Sequence, residues 1–174
     1  MPAEARPAPM RIGILIISDR SSRGERPDLS GPALVEALSM QGWGVMRTGL
    51  VPDEFETIRA TLLEWADGEA LDVILTSGGT GFAPRDVTPE ATRAVVERLT
   101  PGLDEAMRAA SLKVTPHAML SRSVSGIRKK TLIVNLPGSP KAAVENLHVV
   151  LPVLAHAIQL LGDDPAGEKS HLVR

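Results

Sequence analysis

Apolar residues along this chain fall into short β-branched runs separated by amphipathic stretches. Arg11 to Ser18 reads Arg-Ile-Gly-Ile-Leu-Ile-Ile-Ser, Val73-Ile74-Leu75 follows Asp72, and Thr131 to Leu136 reads Thr-Leu-Ile-Val-Asn-Leu. Runs that are apolar at consecutive positions predict strands buried on both faces, as in a parallel sheet. Trp43 to Val51 predicts a less regular strand, and Ser125 to Lys130 a short strand ending in a basic turn. The stretches between them carry helix starts and stops. Ser30 is expected to cap a helix with Pro32 in its first turn, Leu34, Val35 and Leu38 on its buried face, and Gly42 at its end. Asp53 with Glu56 has capping-box spacing, ahead of Ile58, Leu62, Leu63 and Trp65. Thr88 with Pro89 predicts a helix through Leu99, and Thr100-Pro101 another to Leu112. Val114 to Ser123 reads as irregular, with Pro116 as a breaker. Ser139-Pro140 opens a final helix to Leu161, with an interruption or kink expected near Pro152.

Strands that alternate with helices predict an α/β domain with a mainly parallel sheet and helices on both faces, a three-layer α/β/α arrangement. Residues 1–10 are expected to form an arm, 11–162 a single domain and 163–174 a polar tail.

One stretch concentrates chemistry. The strand at Val73 opens into Thr76-Ser77-Gly78-Gly79-Thr80-Gly81, followed by Pro84-Arg85-Asp86 and the helix start at Thr88. Three glycines in four positions free the backbone for positive φ and let N–H groups approach a ligand closely, and concave sets of such groups bind phosphate. Pro137-Gly138-Ser139-Pro140 repeats the logic: buried strand, glycine turn, N-cap serine, proline at the first helical position. The polar loop Asp19–Asp28 leaves the first strand on the same side if the strands are parallel, and is expected to contact ligand.

Composition narrows the partners. A net charge of −2 gives no electrostatic footprint for nucleic acid or a membrane surface. Two Trp, two Phe and no Tyr leave little for stacking bases, and the absence of Cys excludes disulfides and thiolate metal sites. Met1 to Met10 has no apolar core of signal length, and no apolar segment spans a bilayer without a break. A soluble, cytoplasmic protein is expected. His148 and His156 are eight apart, which is not ligand spacing, so they and His117 and His171 are expected to serve packing or surface roles.

The ordered blocks resemble the molybdopterin adenylyltransferase family, which includes MogA-type enzymes and gephyrin-type G domains. The resemblance is carried by Ile17-Ser18-Asp19, Val51-Pro52-Asp53, Thr76 to Gly81, Pro84 to Thr92, Ser111-Leu112-Lys113, Leu120 to Ser123 and Asn135 to Lys141. It implies one strand antiparallel to the rest, a homotrimer, and transfer of AMP from MgATP to the terminal phosphate of molybdopterin with release of pyrophosphate. It assigns catalysis and Mg²⁺ to Asp53 and Asp86. It assigns the nucleotide to Gly78, Gly79, Thr80, Gly81, Pro137, Gly138 and Ser139, and the pterin substrate to Ser18, Asp19, Ser111, Arg122 and Ser123. Hand-over of product to a molybdenum-insertion enzyme goes with it. The run Arg128-Lys129-Lys130 departs from the family's shorter side chains there and is expected to be a solvated turn.

The chemistry asks for these residue types. A phosphate nucleophile is already anionic, its second pKa being about 6, so no general base is required. The obstacle is two anions in one site, which N–H nests and a divalent cation offset. Mg²⁺ takes one or two carboxylates and leaves its other positions to phosphates and water. Asp53 is also placed to cap its helix. Arg85 either contacts phosphate or holds Asp86 in a bidentate pair. Two alternatives remain: a non-catalytic molybdopterin- or nucleotide-binding scaffold, which would bind without releasing pyrophosphate, and a phosphate-binding regulatory module.

Overall fold

The computed structural model describes residues 9–68 and 70–162. The predicted tail and most of the predicted arm lie outside the described residues; Met10, at the arm's end, is 6% exposed and belongs to the core. The elements run β1 (Ile12–Ile17), α1 (Asp19–Ser22), α2 (Ser30–Met40), β2 (Val45–Val51), α3 (Phe55–Asp67), β3 (Val73–Ser77), α4 (Thr88–Arg93), β4 (Arg98–Leu99), α5 (Pro101–Leu112), a 3₁₀ turn (Pro116–Leu120), β5 (Ser125–Arg128), β6 (Thr131–Leu136) and α6 (Pro140–Leu161).

They form one six-stranded sheet in the order β2-β1-β3-β6-β5-β4. β2, β1, β3 and β6 are mutually parallel, and β5 runs against both of its neighbours. The sheet is thus mostly parallel with one reversed strand, as expected. The pleat sends Ile12, Ile14 and Ile16 of β1 to the side covered by α2, α5 and α6, and Leu15 and Ile17 to the side covered by α3 and α4. Fully burying each such Ile or Leu contributes about 1.5–3 kcal/mol, so both faces hold the sheet in place. Register aligns the parallel strands at one end: Ile17 pairs with Val51, Ile16 with Ser77, and Ser77 with Leu136. The exits at Ser18, Pro52, Gly78 and Pro137 therefore meet along a single edge.

Several local expectations change in the folded chain. The polar loop after β1 begins with a helical turn, α1, capped by Ser18 Oγ, which accepts from Ser21 N at 3.2 Å. Ser30 does not cap α2; Asp28 Oδ1 accepts from Ser30 N and Gly31 N at 2.9 and 3.0 Å. Nor does Asp53 cap α3 or Thr88 cap α4, because both side chains are engaged across the sheet edge. α4 ends at Arg93 rather than near Leu99. Glu97 N and Thr100 N donate to Ile127 O and Ser125 O at 2.8 and 2.9 Å, and this ladder outcompetes continued helix. α6 runs unbroken through Pro152, correcting the expected interruption. Pro152 and His148, whose carbonyl loses its helical partner, both lie on the exposed side, where water replaces the lost bond. By length and composition α6 would cross a membrane; here Leu147, Val150, Leu151 and Leu154 place one face of it in the core.

Candidate active site

The glycine turn after β3 is built by exclusion. Gly78 and Gly79 have φ of 112° and 65°, values that L side chains rarely adopt. A Cβ at Gly78 would overlap the Ile17 carbonyl, and one at Gly79 would stand 2.9 Å from Asp53 Oδ1. Gly81 has no positive φ, contrary to expectation; its need is for room, since a Cβ there would stand 2.9 Å from Asp86 Oδ2. Asp53 and Asp86, 33 positions apart in the chain, thus flank one four-residue turn.

Hydroxyls lock the turn to its neighbours. Thr88 Oγ1 donates to Gly78 O at 2.9 Å, Ser77 Oγ to Pro137 O at 2.8 Å, and Ser30 Oγ to Gly138 O at 2.8 Å. A Cβ at Gly138 would stand 3.3 Å from Gly78 Cα, so the two glycine turns are in contact. Ser139 caps α6, as predicted, accepting from Ala142 N at 3.2 Å.

These turns wall a cleft of about 430 Å³ lined by Ser18, Asp53, Gly78, Gly79, Asp86, Gly138 and Ser139. Arg26, Asp28 and Ser30 also line it. Arg26 and Asp28 belong to the loop expected to contact ligand; Ser30 is expected from the sequence only as a helix cap. A second cavity of about 270 Å³ lies on the other side of the turn, lined by Thr80, Gly81, Ser111, Ser121, Pro137 and Asn146. The predicted nucleotide residues are therefore divided between two adjoining cavities. Ser111 stands in the second, bonded to Asn146, whose Nδ2 donates to its Oγ at 3.1 Å.

Three predicted substrate residues are engaged within the protein. Asp19 receives Arg85 in a bidentate pair, Nε to Oδ2 at 2.5 Å and Nη2 to Oδ1 at 2.9 Å. This pair holds the Asp19 carboxyl below its usual pKa. Arg85, expected either to contact phosphate or to hold Asp86, takes Asp19 rather than Asp86 as its carboxylate partner. Arg122 donates to Gly81 O and Asp86 O and pairs with Glu90. Ser123 is 7% exposed; its hydroxyl accepts from Ser121 Oγ and its carbonyl from Arg108 Nη1.

Asp53 is half-buried, and burial, with the nearby charges of Asp19 and Asp86, raises its pKa against the opposing bond from Asp19 N. Among the described residues, Asp53 Oδ1 and Asp86 Oδ1 accept no hydrogen bond, their Oδ2 atoms being taken by Asp19 N and Ala83 N at 2.8 and 2.9 Å. Each acid thus keeps one oxygen available to a hard cation, and at Asp53 such a cation would oppose the rise that burial causes. No group of three or more His, Asp or Glu among the described residues is arranged to hold a metal; Asp53 and Asp86 line the same cleft as two carboxylates. This donor set fits Mg²⁺. His117, His148 and His156 form no such group, and His171 lies outside the described residues.

Parallel strand ends, two touching glycine turns, a capped helix start and two carboxylates in one cleft define the class: an α/β protein with a polar cleft at the strand edge, where such folds bind ligands. The chain belongs to a family described as the probable molybdopterin binding domain, whose model matches residues 13–156. It is 44% identical to a protein of Helicobacter pylori named molybdopterin adenylyltransferase, over 87% of this chain and 88% of that one. With the Escherichia coli K12 protein of the same name it shares 48% identity, over 81% and 73%. Gephyrin of Dictyostelium discoideum is 46% identical over 88% of this chain, which spans only 23% of that longer protein; for cinnamon of Drosophila melanogaster the share is 26%. Among solved structures, the molybdopterin biosynthesis enzyme MoaB of Thermus thermophilus superposes with a TM-score of 0.84 at 54% identity, covering 90% of this chain and 98% of that one.

Proposed function

We propose that this chain is a molybdopterin adenylyltransferase of molybdenum cofactor biosynthesis. ATP is its co-substrate, and Asp53 and Asp86 are its catalytic and Mg²⁺-holding residues. The observation that carries the reading is the placement of both acids against the Gly78–Gly81 turn, in the wall of one cleft. The phosphates meet in the cleft of Ser18, Gly78, Gly79, Gly138 and Ser139, and the pterin takes the second cavity, beside Thr80, Pro137, Ser111 and the segment of Ser123. Ser18 thereby passes from the pterin to the phosphates, and Thr80 and Pro137 from the nucleotide to the pterin, relative to what the resemblance implies. Gly78 N is bonded to Leu136 O; the remaining amides of the glycine turns and those that open α6 are the donors for anionic oxygens in this reading.

In the reaction the terminal phosphate oxygen of molybdopterin attacks the α-phosphorus of ATP. The new O–P bond forms as the bond to the β-phosphate breaks, and pyrophosphate leaves with its electron pair. The cation, when bound, neutralises charge moving onto the leaving group. The glycine turns fix donors where that charge develops, so little reorganisation remains at the moment of transfer. Asp19, held by Arg85, keeps Asp53 in place. Assembly as a homotrimer, a cytoplasmic location and hand-over to a molybdenum-insertion enzyme accompany this reading on the strength of the family resemblance.

Purified protein supplied with molybdopterin and MgATP should release pyrophosphate. Asp86→Ala should abolish release while the protein stays folded; normal turnover in that variant would refute the assignment.

A further inference from the structure

We propose that Arg122 is a positioning residue: it clamps the segment from Gly81 to Glu90 in the shape that presents Asp86 to the cleft, and does not itself contact substrate. Its main-chain N donates to Thr80 O at 2.9 Å. Its Nε donates to Gly81 O at 2.7 Å, its Nη2 to Asp86 O at 2.5 Å, and its Nη1 pairs with Glu90. All three guanidinium nitrogens are therefore directed at protein acceptors, and the side chain is 34% exposed. Gly81 O and Asp86 O lie five residues apart in that segment. Holding both carbonyls on one rigid plane fixes the direction in which the Asp86 side chain leaves the backbone. The bond from Ala83 N to Asp86 Oδ2 then sets the carboxylate itself.

A planar fork with donors at fixed angles suits this task, whereas an ammonium is a single point and cannot span three acceptors in the same geometry. Glu90, on α4, orients the fork from the far side. Ser121, next to Arg122, lines the second cavity with Thr80 and Gly81. The clamp thus ties the wall of that cavity to the acid in the first.

The inference rests on the adenylyltransferase reading, and the experiment separates the two. Arg122→Lys and Glu90→Gln are compared with the wild-type protein in three measurements. These are pyrophosphate release at saturating MgATP, molybdopterin affinity by fluorescence, and amide exchange across Gly81–Val87 without ligand. Arg122→Lys should lower kcat by about tenfold to a hundredfold, the usual effect of a misplaced catalytic group. Its molybdopterin Kd should stay within about threefold of wild type, and exchange over the segment should accelerate. Glu90→Gln leaves the guanidinium on its two carbonyls and should lose less in the same direction. Retained kcat with a Kd weakened about tenfold would make Arg122 a substrate contact and overturn the clamp; unchanged exchange would overturn it too. If Arg122→Lys does not fold, Glu90→Gln decides: lower kcat at unchanged Kd supports the clamp, wild-type kcat overturns it. If the wild-type protein releases no pyrophosphate, the adenylyltransferase reading fails on its own, and amide exchange still decides the clamp.

Discussion

Asp19 and Asp53 hold each other through reciprocal bonds: Asp19 N donates to Asp53 Oδ2 at 2.8 Å, and Asp53 N to Asp19 Oδ1 at 3.0 Å. The exits of β1 and β2 are thereby tied, and Arg85 extends the tie to the segment after the glycine turn. One consequence is that Asp53, whose ionisation is opposed by burial, is held in a fixed direction at the cleft.

Asp53→Asn should separate stability from activity. Burial raises the folded pKa of Asp53, so its ionisation disfavours the folded state. Stability is lost as pH rises from the unfolded value, about 3.9, through the raised folded one. The amide keeps an acceptor for Asp19 N and carries no charge. The variant should melt higher at pH 7, by no more than about 4 °C, with the gain absent at pH 3. Its pyrophosphate release should fall by about a hundredfold or more. Thermal melts at both pH values, with and without MgCl₂, test this; added Mg²⁺ should stabilise the wild type and not the variant.

Arg85→Ala removes the bidentate partner of Asp19. Arg85 is 59% exposed and its pair with Asp19 is screened by water, so folding stability should change little. The pair lowers the folded pKa of Asp19, so its contribution is present above the unfolded value and fades as pH falls through the folded one. Turnover should fall further than stability, by about tenfold, because Asp53 loses its brace. Equal small losses in both would place the pair outside the site.

Gly78→Ala introduces both a left-handed φ and overlap with the Ile17 carbonyl, which is backbone and cannot turn away. Urea unfolding should show a loss above about 2 kcal/mol. Gly24→Ala also meets a positive φ, 73°, but has open space around its Cβ, and should lose only about 1 kcal/mol.

Asp67 is held at a pKa of about 2 by hydrogen bonds from Arg128 and, less strongly, Lys129. Its lowered folded pKa stabilises the protein above the unfolded value, and this contribution disappears as pH falls through about 2. Asp67→Asn should therefore melt below the wild type at pH 6, with the difference closing as pH approaches 2. The same pairing shows that the basic turn is anchored to the end of α3 rather than merely solvated.

By itself, the sequence determined the layered α/β class, the strands β1, β3 and β6, the start of α6 at Ser139-Pro140, and the two glycine turns. Each of these is written in a local pattern: consecutive apolar residues, a glycine cluster, a serine before a proline. Tertiary structure alone decided which side chain answers which. Arg85 finds Asp19 across 66 positions and Ser30 finds Gly138 across 108. Neither choice has a local signal, because it depends on strand order and on register at the sheet edge. The same cause redirected Asp53 and Thr88 from the caps their spacing suggested and cut α4 short where β5 offered a ladder. Local propensity is worth about 1 kcal/mol. A bond across an edge already assembled by two hydrophobic layers costs little extra ordering, so it wins.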